Sequence, residues 1–264
     1  MNQRRRHQII LENIRRNASV RAEELASALD VSIATIRRDF SYLENHGHLL
    51  RTYGGAVMAP SSTEQSFQQR TTTQVSAKHR IAEEALPILL SAKSVILDAG
   101  TTTACLAQRI PRSQSLLVAT NGLNLLDELR YHDNLELIAL GGSLRHKNQA
   151  FIDNSAIEQL DRLHVDVCFL GAFGLDPLVG LTSPTSLQAI LKSRMVSSAR
   201  RTYILADASK FHKSFAYVSL IDGPVTIITD RPLSDGHAVA CADRGWAIQV
   251  ADTEDGFSPR EREE

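Results

Sequence analysis

The feature that most constrains the fold is an alternation of short β-rich runs with helical stretches between residues 94 and 229. The runs that fit strands are Ser94–Asp98, Leu116–Thr120, Leu135–Leu140, Asp166–Gly171, Thr202–Ala206 and Val225–Thr229. Helical patterns lie at about 77–91, then at Thr103–Ile110, Asn121–Leu129, Asp153–Leu160 and Thr185–Ala199. Such alternation is typical of an α/β domain, because a crossover helix joins parallel strands. The sequence therefore predicts a mainly parallel sheet.

The first residues follow a different pattern. Apolar side chains recur there at three- and four-residue spacing, which predicts short amphipathic helices at about 4–17, 21–29 and 32–46. A unit of three helices with a tight connection between the last two is typical of a helix-turn-helix. Ser32 suits the N-cap of the third helix, and Gly47 suits its end.

A β-hairpin is predicted after the third helix. Residues 49–57 contain two short apolar runs around a glycine pair, which fits the wing of a winged helix-turn-helix. On the third helix, Ile36, Phe40 and Leu43 are expected to face the core, so the polar residues of the other side face a DNA groove. The candidate DNA contacts are Ser32, Thr35, Arg37, Arg38, Ser41 and, in the wing, Arg51. Two alternatives remain: a winged helix that contacts protein through solvated arginines, and simple capping by Ser32 and Thr35.

The charge distribution agrees with a selective DNA reader. The chain carries a net charge of −1, but residues 1–55 hold nine arginines and no lysine against six acidic residues. Arginine is the cation best suited to bidentate contacts with phosphate and guanine. The remaining residues hold 20 basic and 24 acidic side chains, which excludes a protein that coats DNA through a large positive field.

Composition excludes several other classes. A hydrophobic content of 43% excludes wholesale disorder, and no apolar run approaches the roughly 18 residues that a membrane span needs. Three widely spaced cysteines argue for reduced thiols in a cytoplasm and against a zinc cluster. We therefore expect a cytoplasmic protein without a membrane partner or a metal site.

The chain is predicted to consist of two domains. Residues 1–58 form the winged helix-turn-helix, and residues 77–251 form the α/β domain. A polar stretch between them, 59–76, has few apolar anchors and is interpreted as a linker. The charged end, 252–264, is predicted to be a frayed tail.

The ends of the predicted strands carry the candidate ligand site. Ligands of open α/β sheets bind outside the carboxyl ends of the strands, where small residues let backbone N–H groups approach an anion. The best candidate for a phosphate cradle is Gly100 with Thr101, Thr102 and Thr103 after the first strand. Further candidates are cations at Arg145, Lys192 and Lys210, and acceptors for sugar hydroxyls at Asp98 and Asp207. No dinucleotide or nucleoside-triphosphate fingerprint is present, and ordinary turns explain the same residues.

Several of these segments resemble the DeoR-type bacterial regulators. The N-terminal match consists of Arg6, Ile10, Ile14, Ser32, Thr35 to Phe40 and the wing 47–56. The C-terminal match consists of 67–70, 98–103, 120–121, 141–142 with Arg145, 163–166, 170–172 and 205–211. Tyr53, Gln188 and Asp153 depart from the family pattern, which usually has His, an acidic residue and a small residue there.

The resemblance implies an α/β effector domain similar in fold to ribose-5-phosphate isomerase, sensing a phosphorylated sugar. It implies phosphate contacts from 100–103, with Asn121, Gly142 and Lys210 lining the pocket. The expected protein is a repressor of a carbohydrate-catabolism operon, acting as a homodimer or homotetramer on a double-stranded DNA operator, without cofactor or catalytic residue.

Two other functions are compatible with the sequence. An isomerase needs a carboxylate base, and Asp98, Asp176 and Asp207 are available, although Gln188 removes one. A regulator with a degenerate pocket that binds no small molecule is the other.

Overall fold

The computed structural model describes residues 3–17, 19–45, 49–58, 64–176 and 179–251. Contacts between residues divide the chain into two compact units, Met1–Gln65 (the N-terminal unit) and Ser66–Glu264 (the C-terminal unit). The predicted helix stop at Gly47 and the predicted tail over 252–264 lie outside the described residues.

The N-terminal unit is a winged helix-turn-helix. Its elements are α1 (Gln3–Asn17), β1 (Ser19–Arg21), α2 (Ala22–Ala28), α3 (Ile33–Asn45), β2 (Leu49–Thr52) and β3 (Gly55–Met58). The predicted core residues Ile36, Phe40 and Leu43 of α3 are all buried. The predicted hairpin forms, and β1 adds an unpredicted third strand, in the order β1-β3-β2. A strand of three residues is too short to show a period of two along the sequence.

Both glycines of the wing are required by the backbone. Gly54 has φ +83°, in the left-handed region that favours glycine. A Cβ at Gly55 would lie 2.2 Å from the carbonyl oxygen of Val20, so only glycine permits this close pairing of β3 with β1.

A buried ion pair fixes α3 against α1. Asp39 of α3 is 2% exposed and accepts a hydrogen bond from Arg6 Nη2 at 3.0 Å. His7 Nε2 lies 2.9 Å from its Oδ1. Burial raises the pKa of Asp39, but the hydrogen bonds and charges of Arg6 and His7 outweigh it and lower that pKa. Helix α3 is therefore held by polar as well as apolar contacts.

The C-terminal unit is a three-layer α/β/α domain. Its helices are α4 (Phe67–Thr71), α5 (Val75–Leu90), α6 (Thr101–Ala107), α7 (Leu123–Leu129), α8 (Asn154–Leu160), α9 (Ser186–Ser197), a 3-10 helix at Ala208–His212 and α10 (Asp235–Asp243). Its main sheet contains β4 (Ser94–Leu97), β5 (Leu116–Thr120), β6 (Leu135–Ala139), β9 (Val165–Gly171), β12 (Ala199–Leu205), β14 (Val225–Thr229) and β15 (Trp246–Val250). The short strands are β7 (Leu144–Arg145), β8 (Ala150–Phe151), β10 (Gly174–Asp176), β11 (Gly180–Ser183) and β13 (Tyr217–Val218).

The main sheet is parallel throughout, in the order β15-β14-β12-β9-β4-β5-β6. Alternate residues of β4 enter different cores: Val95 and Leu97 pack with α5, α6 and α7, whereas Ile96 packs with α8, α9 and α10. Each predicted strand and helix of this unit is confirmed, with its ends within three residues of the prediction.

The predicted linker is partly folded, which corrects its boundary. Ser66 caps α4 in a capping box with Gln69, Arg70 is 6% exposed, and α5 begins at Val75. Residues 66–76 therefore belong to the C-terminal unit, and a polar composition concealed a helix too short for a hydrophobic period.

The helix predicted near 77–91 runs through Pro87 without ending there. The sequence did not indicate α10 or β15. Within the described residues, none of the helices combines the length and apolar composition that a bilayer crossing requires.

Candidate functional site

The strand order creates a crevice between β4 and β9. From β4 the chain proceeds outward through β5 and β6, whereas from β9 it proceeds in the opposite direction through β12, β14 and β15. Ligands of open parallel sheets bind at such a switch point, outside the carboxyl ends of the strands. The segment 98–102 follows β4, and Gly171 ends β9, so both line this crevice.

A cation-lined cavity, named here the switch-point cavity, lies at this point. Its lining consists of Arg70, Ala99, Gly100, Thr101, Thr102, Gly171, Ala172, Phe173, Lys192 and Lys210. Every charged residue in that lining is a cation. The cavity volume of about 10 Å³ holds roughly one water molecule. A phosphate group therefore enters only if long side chains of the lining move.

Lys192, in the lining of the cavity, is anchored by hydrogen bonds. Its Nζ donates to Asp98 Oδ2 and, at 2.7 Å, to the carbonyl oxygen of Gly171. Asp98 Oδ2 also accepts from Gly171 N at 3.0 Å. The side chains of Lys192 and Asp98 are 4% and 6% exposed. Asp98 therefore joins β9 to α9 and does not belong to the lining of the cavity, and its contact with a sugar hydroxyl remains a prediction.

Lys210 brings a second cation from the 3-10 helix. Asp207 caps that helix through Ser209 N, 3.0 Å from its Oδ1, and its Oδ2 lies 3.9 Å from Lys210 Nζ. Burial lowers the pKa of Lys210 to about 8, although the charge of Asp207 opposes that shift. Asp207 lies outside the lining, and an anion in the cavity would stabilise the charged form of Lys210.

Thr103 and Asn121 support the cavity loop without lining it. Thr103 is fully buried, and its hydroxyl donates to the carbonyl oxygen of Asp98 at 2.7 Å. Asn121 Oδ1 accepts from Ala99 N at 2.9 Å, and its Nδ2 donates to the carbonyl oxygen of Phe151 at 3.3 Å. Neither residue belongs to the lining of the cavity, and contact of either side chain with a ligand remains a prediction.

Gly142 and Arg145 also lie outside the lining. Gly142 has φ +125°, and a Cβ there would lie 2.3 Å from Asp153 Oδ1. Arg145 Nη1 donates to Asn148 Oδ1 at 3.2 Å. Of the predicted effector residues, the cavity brings together Gly100, Thr101, Thr102, Lys192 and Lys210.

Sequence reasoning missed Arg70 and Phe173 as lining residues. The Arg70 guanidinium carbon lies 4.7 Å from the centroid of the Phe173 ring and 5.9 Å from that of Phe67. For Arg70, the polar composition of the segment favoured a linker. The resemblance of residues 67–70 to the family pattern was the signal that could have placed it in the site.

Two of the three departures from the family pattern, Asp153 and Gln188, have structural roles. Asp153 caps α8 by accepting from Ser155 N at 2.8 Å, and it also accepts from Ser143 N at 2.8 Å. Gln188 completes a capping box at the start of α9, where its Oε1 accepts from Thr185 N at 3.1 Å. Glutamine and glutamate both fit this motif, so the departure preserves the helix start.

The outer face of α3 presents two cations. Arg37 and Arg38 are both exposed. Ser41 Oγ accepts from Arg51 Nη1 at 2.9 Å, which ties the wing to α3. Tyr53, at the wing turn, is fully exposed, and the sequence did not single it out as a contact.

Ser32 and Thr35 form the cap that the sequence allowed. Ser32 Oγ accepts from Thr35 N at 3.1 Å, and the two hydroxyl oxygens lie 2.9 Å apart. Capping accounts for both side chains in the structure, and their contact with DNA phosphate remains a prediction.

Two family models match the chain. One describes a DeoR-like helix-turn-helix domain and matches residues 6–62, and the other describes the DeoR C terminal sensor domain and matches residues 73–231.

Similar curated proteins are transcriptional regulators by name. A putative aga operon transcriptional repressor of Escherichia coli O157:H7 is 34% identical over 80% of this chain and 79% of that protein. The HTH-type transcriptional regulator GlpR of Haloferax volcanii is 36% identical over 80% of this chain and 83% of its own length. The L-fucose operon activator of Haemophilus influenzae is 33% identical over 89% of this chain and 95% of its own length.

Among solved structures, ribose 5-phosphate isomerase A from Methanocaldococcus jannaschii is similar, with 15% identity and a TM-score of 0.39. The similarity covers 52% of this chain and 55% of that one.

Proposed function

The chain belongs to the DeoR family of DNA-binding transcriptional regulators, and from that premise we propose that it represses a carbohydrate-catabolism operon and is released by a phosphorylated sugar. The proposed ligand site is the switch-point cavity. The proposed DNA contacts are those of α3 and the wing.

One observation carries the ligand proposal: three cations from separate elements converge at the switch point. Arg70 comes from α4, Lys192 from α9 and Lys210 from the 3-10 helix. A phosphate monoester carries close to two negative charges at neutral pH and accepts several hydrogen bonds. The hydroxyls of Thr101 and Thr102 add donors beside these cations. The lining therefore suits a phosphate group.

The direction of regulation rests on the relatives. The similar protein of E. coli O157:H7 is named as a repressor, whereas that of H. influenzae is named as an activator. We assign repression here. We further assign a homodimer or homotetramer on a double-stranded operator, in which the α3 helices of two subunits lie one DNA turn, about 34 Å, apart.

We further propose that the cavity senses its ligand without turnover. An isomerase needs a carboxylate placed to move a proton on the sugar. Asp98 is bonded to Lys192 and Gly171 N, and Asp207 caps the 3-10 helix. Neither carboxylate belongs to the lining of the cavity, which supports sensing over catalysis.

The experiment starts from an operator selected out of random duplex DNA with the full chain. Operator affinity is then measured against inorganic phosphate, ribose 5-phosphate, fructose 1-phosphate and fructose 6-phosphate. We expect at least one sugar phosphate to weaken operator binding by about 5- to 150-fold, the usual range of allosteric coupling. The Thr101→Ala, Thr102→Ala double variant is expected to lose that response, because two hydroxyl donors disappear from the cavity.

Three results would contradict this proposal. Failure of all phosphates to bind the wild-type chain would favour a degenerate pocket. A normal response in the double threonine variant would place the ligand elsewhere. Conversion of any sugar phosphate in a steady-state assay would make the protein an enzyme.

Ligand affinity should depend on pH through Lys210. Its pKa of about 8 means that the ammonium predominates at pH 7 and the neutral amine at pH 9. Phosphate monoesters lose their second proton near pH 6, so their own charge is nearly constant over that range. We expect phosphate affinity to fall by up to about tenfold from pH 7 to pH 9, as measured by isothermal titration calorimetry.

The matched control for this pH dependence is Lys210→Met. It should bind phosphate weakly, with a flat profile across the same range. An equal slope in wild type and variant would exclude Lys210 as the titrating group.

A further inference from the structure

One cation of the switch-point cavity belongs to the first helix after the boundary between the two units. The boundary falls at Gln65, and α4 starts at Phe67 with Ser66 as its cap. Arg70 is thus five residues past the boundary along the chain. The other lining residues lie at 99–102, 171–173, 192 and 210, much further from it in sequence.

The helix that carries Arg70 is tightly held. Lys78 Nζ donates to the carbonyl oxygen of Arg70 and, at 2.5 Å, to that of Thr73, and Lys78 is only 3% exposed. Phe67 N donates to the carbonyl oxygen of Lys147 at 2.8 Å. Because hydrogen bonds hold both ends of α4, the Arg70 side chain projects from an ordered helix and not from an irregular loop.

The Arg70 side chain lines a cavity that is too small for a phosphate group. It is buried against the face of Phe173, whose ring centroid also lies 6.0 Å from Lys192 Nζ. The cavity leaves room for about one water molecule. Movement of Arg70 out of this stacked position would open space for a phosphate, and the planar fork of arginine would then offer it a bidentate contact.

We propose that Arg70 is the residue through which phosphate binding in the switch-point cavity changes the affinity of the chain for DNA. The inference rests on the proposed function, since it assigns the regulation of that same site. Arg70 binds the phosphate and belongs to α4, so displacement of its side chain from the Phe173 ring changes the contacts of the first helix after the boundary between the units. A ligand shifts an equilibrium only by its differential affinity for two states, and Arg70 supplies that difference.

The test separates ligand binding from its transmission. Phosphate and sugar-phosphate affinities of the full chain are measured by calorimetry, and operator affinity is measured without ligand and at a saturating concentration for each variant. For the wild-type chain, the ratio of operator affinity without ligand to operator affinity at saturating ligand is expected to lie between about 5 and 150. In Arg70→Gln, the ratio at saturation is expected to fall below about 2, and ligand affinity is expected to fall about tenfold as one of three cations is removed.

Two further variants complete the design. Gln68→Ala changes an exposed residue of the same helix and should keep the wild-type ratio. Arg70→Lys retains the charge without the fork, so it should recover ligand affinity more fully than the ratio. A purely structural role of Arg70 would lower stability and leave the ratio at saturation unchanged.

The outcomes are distinguishable. A wild-type ratio retained in Arg70→Gln at saturating ligand overturns the inference while leaving the proposed function intact. Absence of phosphate binding to the wild-type chain overturns both. The inference is supported if the ratio of operator affinities falls below about 2 in ligand-saturated Arg70→Gln and keeps its wild-type value in Gln68→Ala.

Discussion

Replacing Arg37 and Arg38 together with alanine is expected to abolish specific operator binding, with a loss of affinity of at least about 100-fold. A good bidentate base contact contributes about 1–3 kcal/mol of discrimination, and each phosphate contact adds an electrostatic gain that depends on salt. Both guanidinium groups are exposed on α3, whereas Ile36, Asp39 and Phe40 on its inner face hold the helix in place. The double variant should therefore lose binding without losing its fold.

Gel-shift titration at fixed ionic strength measures the loss, and circular dichroism confirms the fold. The matched control is Arg21→Ala, which removes an exposed arginine of β1 outside the recognition helix and should cost no more than a few-fold. The single variants assign the roles. Loss of a base contact relaxes specificity at one operator position, whereas loss of a phosphate contact weakens binding equally for all sequences and lowers its salt dependence. Operator binding retained in the double variant would exclude α3 as the reading helix.

The sequence was most informative where a pattern repeats. Alternating apolar runs located every predicted strand of the parallel sheet, and helical spacing located α1, α2 and α3. The edge at which the candidate site lies follows from that alternation, because the ends of parallel strands share one edge. Strand order could not be predicted in the same way. The pairing of β4 with β9 joins segments about 70 residues apart and depends on tertiary packing.

Residue roles at the cavity were predictable only in part. A position after a strand predicts proximity to the carboxyl edge of the sheet, and Gly100, Thr101 and Thr102 line the cavity there. Such a position does not predict whether a side chain bonds to a ligand or to other groups of the protein. Asp98 is near the edge as predicted, but its carboxylate is bonded to Lys192 and Gly171 N, and Asn121 is bonded to the loop backbone.

Replacing Lys192 with methionine is expected to lower the free energy of unfolding of the C-terminal unit by about 3–5 kcal/mol. Removing one partner of a buried ion pair leaves the other charge without compensation. Here the stranded group is the Asp98 carboxylate, and the carbonyl oxygen of Gly171 loses its donor as well. Urea denaturation followed by tryptophan fluorescence measures the change, because the one tryptophan of the chain, Trp246, is buried in β15 of this unit.

Two further variants show whether the loss arises from the stranded charge. Lys93→Met removes an exposed lysine just before β4 and should shift the unfolding free energy by less than about 0.5 kcal/mol. Asp98→Asn combined with Lys192→Met removes both charges and should recover part of the loss, because two uncharged groups cost less to bury than one unpaired ion. If the double variant is as unstable as Lys192→Met alone, lost packing rather than the stranded carboxylate explains the effect. A large loss of unfolding free energy in Lys192→Met and a smaller loss in the double variant would show that the charges need each other. The ion pair then serves to hold the Lys192 cation in the lining of the cavity, because a hydrophobic pair would leave a ligand one cation fewer.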